Sequence, residues 1–151
     1  MVRFNSRWLA LEGHEFPAFQ ARIERDRVVR YLDFLGQQDA EVRQESACDD
    51  IGPALPTFPF SLEMEAGVVA AVAALLEIEA SRLLHAEQSF TYHRPLRCGD
   101  LVTVMSWLRD VTWKPERRVC FFVKESHFRV DGRLTVSSRS VYAIRTAGED
   151  T

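Results

Sequence analysis

The chain has 151 residues, with 19 Lys and Arg against 22 Asp and Glu, for a formal net charge of -3. That length suits one domain with a sizeable core, so a single domain over residues 1–151 is expected, with its core at about 11–145. Hydrophobic residues at 46%, ten Phe among them, exclude bulk disorder, and the mildly acidic balance gives no overall pull toward nucleic acid.

Residues 1–16 contain no apolar stretch followed by a small-residue cleavage site. The longest apolar run, Ala66 to Leu76, is shorter than the about 20 residues that a membrane helix takes. A cytoplasmic protein with no membrane partner is therefore expected. The three cysteines, Cys48, Cys98 and Cys120, lie far apart with no CxxC. They predict free thiols in a reducing compartment and no metal site.

Phe16 to Ile23 reads as a short strand. Glu24 to Leu35 carries apolar residues at Val28, Tyr31, Leu32 and Leu35, the 3.6-residue spacing of a helix, and Gly36 suits its stop. Gln37 to Pro59, with its acidic residues and prolines, predicts a long loop. Phe60 to Leu84 reads as the principal helix. Its apolar residues surround most of the cylinder, which predicts burial. Ser61 can cap it, or Thr57 with Pro59 in the first turn. Glu63 and Glu65 fall in the early turns, where the helix dipole favours acids.

Beyond Leu84 the pattern turns to strands. Glu87 to His93 puts Phe90 and Tyr92 on one face. Leu101 to Trp113 is a long strand that would place Leu101, Met105, Trp107, Val111 and Trp113 on one face. Lys114-Pro115-Glu116 turns the chain into a strand from Arg117 to Val130, and Asp131-Gly132 suits a type I′ hairpin. Leu134, Val136, Tyr142 and Ile144 then alternate with Arg133, Thr135, Arg139 and Arg145. Thr146 to Thr151 reads as a frayed tail. A long apolar helix followed by four strands in a meander predicts an α+β hot-dog fold, with a curved antiparallel sheet wrapped around the helix.

The run Leu84-His85-Ala86-Glu87-Gln88-Ser89-Phe90-Thr91-Tyr92-His93-Arg94-Pro95-Leu96-Arg97-Cys98-Gly99-Asp100 resembles the MaoC-like acyl dehydratases. It is most similar to the branch that forms the N-terminal half of fatty-acid-synthase-type dehydratases. Leu11 to Pro17, Val28 to Gly36 and Leu55-Pro56-Thr57-Phe58 agree with the same family. The resemblance implies a hot-dog homodimer, or a heterodimer with a catalytic hot-dog subunit. It also implies an acyl thioester of coenzyme A or acyl carrier protein as ligand, and no cofactor. The reaction of the family is hydration of a trans-2-enoyl thioester to a (3R)-hydroxyacyl thioester. That chemistry needs a base for water, an acid for the α-carbon and donors for the thioester oxygen.

Active members carry the Asp and His of this dyad just after the first helix. Here Gln37 and Val42 stand at those positions, and neither side chain exchanges a proton near neutral pH. The resemblance therefore implies either a weakly active enzyme with displaced residues or a subunit that binds the acyl chain for a catalytic partner. Asp39, Glu41 and His93 are the candidate replacements, and Thr57, Phe58, Arg94 and Gly99 the candidate substrate-binding residues. Arg94 can meet a carrier phosphate through its forked guanidinium, or pair with Asp100 to hold the turn. A thioesterase using Glu63 or Glu65 is an alternative, as is a non-enzymatic acyl-thioester-binding protein. His85 and His127 read as structural histidines and His93 as a loop anchor. Trp107 and Trp113 read as core or dimer-face residues. Lys114, Arg117 and Arg118 form a basic hairpin end.

Overall fold

A computed structural model describes residues 2–38, 47–49, 51–52 and 55–147. The expected sites Asp39 and Glu41, and the dyad position Val42, lie outside the described residues.

Strand β1 (Glu15–Arg22) leads into helix α1 (Arg25–Phe34), whose Val28 and Leu32 are fully buried. At the end of α1 the Gly36 N–H donates to Asp33 O and the Gln37 N–H to Leu32 O, both at 3.0 Å. This is a Schellman stop at the expected glycine. A short helix α2 (Ala47–Asp49) lies within the long loop.

The expected single helix over Phe60 to Leu84 is two helices, α3 (Phe58–Glu65) and α4 (Val68–Leu75), bent by 59°. Gly67 sits between them at φ 74, and its N–H donates to Met64 O at 3.1 Å. That left-handed turn closes α3, and only glycine adopts it without strain. Helix α4 ends at a second Schellman stop, where Glu77 (φ 55) and Ile78 donate to Ala74 O and Ala73 O. Thr57 stands at the N-cap of α3 with Pro59 in the first turn, as expected, but its hydroxyl bonds Tyr31 instead of capping a backbone N–H, and Ser61 lies inside the helix and donates to Phe58 O at 2.6 Å. No single helix among the described residues is long and apolar enough to cross a membrane; α3 and α4 meet that test only as a bent pair.

Strands β2 (Leu84–Tyr92), β3 (Leu101–Lys114), β4 (Val119–Val130) and β5 (Arg133–Arg145) complete an antiparallel sheet with the order β1-β3-β4-β5-β2. Only β3, β4 and β5 form the expected meander. Strand β2 pairs with β5 instead, at the sheet edge. The segment 93–100 must therefore carry the chain across the sheet end to β3. It is tied there by Arg94 N–H to Thr135 O, by a bridge between Leu96 and Ile51, and by Gly99 N–H to Ile23 O. The β4–β5 hairpin turns on Asp131 (φ 49) and Gly132 (φ 73), as the type I′ turn requires.

The expected common face of β3 does not exist as one face. Val102, Val104, Ser106 and Leu108 point inward, while Leu101 is 42% exposed. A bulge between Leu108 and Asp110 then exchanges the faces, so Val111 and Trp113 join the core. One extra residue reverses side-chain parity downstream. At the expected frayed tail, Thr146 is buried, bridges Val2 and is followed by an Ala147 N–H donating to Val2 O at 2.8 Å.

Two apolar clusters lie between one face of the sheet and the helices. One gathers Val28, Leu32, Phe58 and Leu62 over Val104 and Phe128; the other gathers Trp8, Val72 and Leu76 over Leu108, Phe122 and Tyr142. Each such fully buried side chain contributes about 1.5–3 kcal/mol of transfer free energy. Along β3, β4 and β5, the residues between the clusters are Ser106, Lys124, Ser126, Ser138 and Ser140, all buried.

The expectation of three free thiols is corrected. Cys48 and Cys98 are joined in a disulfide with their Cα atoms 4.8 Å apart, and Cys120 is the free, buried cysteine. The bridge between Ile51 and Leu96, with Cys98 N–H donating to Cys48 O, brings together residues 50 apart in sequence.

Candidate functional site: a groove between two antiparallel helices

Helices α1 and α3 run antiparallel over the sheet. Arg27, Arg30, Tyr31 and Phe34 recur at one-turn spacing on α1, beside the face that buries Val28 and Leu32. Thr57, Phe60, Ser61, Met64 and Glu65 form the facing wall. Between them lies a groove of about 610 Å³, within the range of small-molecule sites.

Two contacts cross the groove. The Tyr31 and Thr57 hydroxyls form a short hydrogen bond near the start of α3, and Arg27 Nη1 meets Glu65 Oε2 at 2.9 Å near its end. The Tyr31 ring also stands edge-on to Phe58, with centroids 5.4 Å apart. Tyr92 donates to Pro56 O at 2.7 Å and holds the chain entering α3. Burial, followed by the nearby Tyr31, pushes the Tyr92 phenol well above its ordinary pKa.

The expected site residues are scattered. Thr57 and Glu65 line the groove, whereas Phe58 is fully buried beneath it. Arg94 lies in a separate cavity of about 240 Å³ with Arg97, Asp100, Asp131 and Thr135. Its guanidinium donates to Thr135 Oγ1 at 3.3 Å, while Asp100 accepts the Arg97 N–H at 2.8 Å. Both backbone groups of Gly99 are engaged, its N–H by Ile23 O and its carbonyl by Arg22 Nη1. His93 is exposed, its ring 3.3 Å from Ser137 Oγ. His85 packs between Phe60 and Tyr142, and His127 bonds Glu125 and abuts Trp107. Trp113 stacks on Phe4.

Glu63 is absent from the groove. It is fully buried and paired with Lys124, and Ser126 donates to the same carboxylate oxygen. A carboxylate held there does not meet a ligand between α1 and α3. Sequence reasoning missed Arg27, Arg30, Phe34, Phe60 and Met64 as groove residues. A signal was present in Phe34 and Leu35, apolar residues at the end of α1 that the core does not use; Phe34 is 84% exposed. Among the described residues, no group of three or more His, Cys, Asp or Glu is placed to hold a metal ion.

A five-stranded antiparallel sheet packed on one face by helices that bury their apolar residues against it defines a hot-dog domain. Residues 10–136 match the FAS1-like, dehydratase domain region family, and the chain belongs to that family of MaoC-like hot-dog proteins. A UPF0336 protein of Streptomyces griseus is 33% identical over 144 residues, 91% of this chain and 94% of that protein. A UPF0336 protein of Thermobifida fusca is 36% identical over 77 residues, about half of each chain (51% and 49%). Among solved structures, a MaoC-like dehydratase aligns with a TM-score of 0.74 at 16% identity, over 93% of this chain and 44% of that one. The HadBC (3R-hydroxyacyl-ACP dehydratase) complex from Mycobacterium tuberculosis aligns with a TM-score of 0.62 at 14% identity, over 87% and 96%. At such identities the structures establish likeness of fold.

Proposed function

We propose that this chain is the acyl-thioester-binding subunit of a MaoC-like hydratase or dehydratase, and that a second hot-dog chain supplies the catalytic dyad. The observation that carries the reading is a groove with apolar walls and, among the described residues, no acid–base pair. Its ionisable side chains are Arg27, Arg30, Tyr31 and Glu65, and Glu65 is already paired with Arg27. Gln37, at the dyad's Asp position, follows directly on the stop of α1. Enoyl hydration needs a proton acceptor and a proton donor at the thioester, and an amide side chain supplies neither.

In this reading the acyl chain lies between α1 and α3, with coenzyme A or an acyl carrier protein outside. Arg30, which has no acidic partner among the described residues, and Arg94 at the sheet end are the cations offered to the carrier's phosphates. The partner adds to the sheet at β2, whose outer edge pairs with no other strand among the described residues and whose Leu84 is 50% exposed. Structural neighbours that are complexes, HadBC and ChsH1-ChsH2, support a two-chain arrangement.

The test is hydration of crotonyl-CoA and longer trans-2-enoyl-CoA substrates, followed by loss of enoyl absorbance. The chain alone is expected to bind these thioesters without turnover, and to increase turnover by a catalytic hot-dog subunit. Robust turnover by the chain alone overturns the reading. A second reading, a thioesterase, rests on Glu65 alone, because Glu65 is the carboxylate lining the groove. Release of free coenzyme A that is lost in Glu65→Gln would favour it.

A further inference from the structure

We propose that the Arg27–Glu65 ion pair is a bar across the groove that sets the acyl chain length this protein accepts. The inference rests on the reading of the groove as an acyl site. Beyond the pair lies a second cavity of about 210 Å³, walled by Phe19, Gln20 and Ala21 of β1 and by Leu62 and Ala66. Arg27 and Glu65 line both cavities. The two side chains are therefore the shared wall, and without them the groove runs on toward β1.

Tyr92, two residues before Arg94, donates to Pro56 O beside Thr57, so the end of the groove at Thr57 is the one nearest the cation offered to the carrier. The Tyr31–Thr57 contact lies at the start of α3 and the Arg27–Glu65 contact at its end. A chain entering beside Thr57 passes Phe60 and Met64 and meets the ion pair last. Methylenes cannot replace the pair's solvation, so an alkyl tail stops against it. The lining of the space beyond is mostly polar while Arg27 and Glu65 are in place; with those two side chains truncated, what is left is Phe19, Ala21, Leu62 and Ala66 and a Gln20 amide turned to Thr103 Oγ1 at 3.1 Å. The pair itself is half-exposed, with Arg27 at 24% and Glu65 at 52%. Such pairs contribute little to stability, so either side chain can be truncated with the fold kept.

The experiment is calorimetric binding of saturated acyl-CoAs, from butanoyl- to hexadecanoyl-CoA, to the full chain. Affinity in the wild type is expected to rise about fourfold per methylene while the tail is being buried, and then to level off. In Arg27→Ala and Glu65→Ala the rise should continue for several further carbons before levelling. The charge-swapped double variant, Arg27→Glu with Glu65→Arg, keeps a bar of the same bulk and should level off where the wild type does. An unchanged break point in both alanine variants, with binding intact, overturns the bar while leaving the acyl groove in place. A swapped variant that behaves like the alanine variants also overturns the ion pair as the bar. No binding of any acyl-CoA overturns the groove reading and the bar with it.

Discussion

Glu63 of α3 and Lys124 of β4 meet in the centre of the core, where neither side chain touches solvent. Lys124 also donates to Ser126 Oγ at 2.8 Å, and Ser126 lies 2.7 Å from Ser106 Oγ. Burial holds the Lys124 ammonium below its ordinary pKa, and the Glu63 carboxylate opposes that shift. Glu63 Oε2 is buried without a hydrogen-bond partner among the described residues. The pair joins helix to sheet at the polar band between the two apolar clusters, and so sets where α3 lies over the strands.

Lys124→Met leaves a buried carboxylate unpaired, and is expected to cost about 3–5 kcal/mol. The double variant Glu63→Leu with Lys124→Met removes both charges and should recover most of that loss, since apolar replacement of a buried pair is often neutral. Urea denaturation of the single and double variants measures both. A double variant no more stable than Lys124→Met would contradict the account.

Two helix stops make opposite predictions. An added Cβ at Gly67 meets nothing within 4 Å, so Gly67→Ala carries only the left-handed backbone penalty of about 1–2 kcal/mol. Glu77 already bears that penalty at φ 55. Glu77→Gly should therefore stabilise by about 0.5–1 kcal/mol, reduced by the greater freedom of glycine in the unfolded chain. Denaturation midpoints give both signs directly.

Thiol counting separates the cysteines. Burial, followed by the negative charge of Asp110, pushes the Cys120 thiol up to about 12. Native protein without reductant should show no thiol reactive toward an aromatic disulfide reagent near pH 8. Denatured without reductant it should show one, and with reductant three, from Cys48, Cys98 and Cys120. Three thiols before reduction would remove the disulfide.

Glu125 gives a pH dependence. Its carboxylate accepts from Arg109 Nε at 2.9 Å and from His127 Nε2 at 3.0 Å. The Arg109 hydrogen bond, chiefly, holds its pKa below the usual carboxylate value. A folded pKa below the unfolded one means that the unfolded state binds more protons between the two. Stability from this group is then complete above the ordinary carboxylate pKa and is lost as pH falls through the lowered one. A carboxyl-carbon NMR titration should show the low midpoint, and Arg109→Ala should raise it toward the ordinary value.

Helix α1, its stop at Gly36, strand β1 and the β4–β5 hairpin were legible because short-range patterns specify them: one-turn spacing, a glycine stop and an Asp-Gly turn. Thr57 was legible as a candidate because the entry to the central helix resembles a known family, and Glu65 because it is a carboxylate in the early turns of that helix. Their groove partners Arg27 and Arg30 on α1 were not, because they look like an ordinary solvent face until α3 lies beside them. Arg94 and Gly99 belong to a run whose visible work in the fold is to carry the chain past the end of the sheet.

The sequence by itself determined the helix and strand content, the buried character of the central helical segment and the family, because periodicity and contiguous motifs act over a few residues. Tertiary structure alone decided that Gly67 splits that helix, that β2 pairs with β5 and that a bulge exchanges the faces of β3. It also decided that Glu63 finds Lys124 and Cys48 finds Cys98. Each depends on contacts between residues distant in the chain, whose free energy appears only once the sheet has closed over the helices and water has left the space between them.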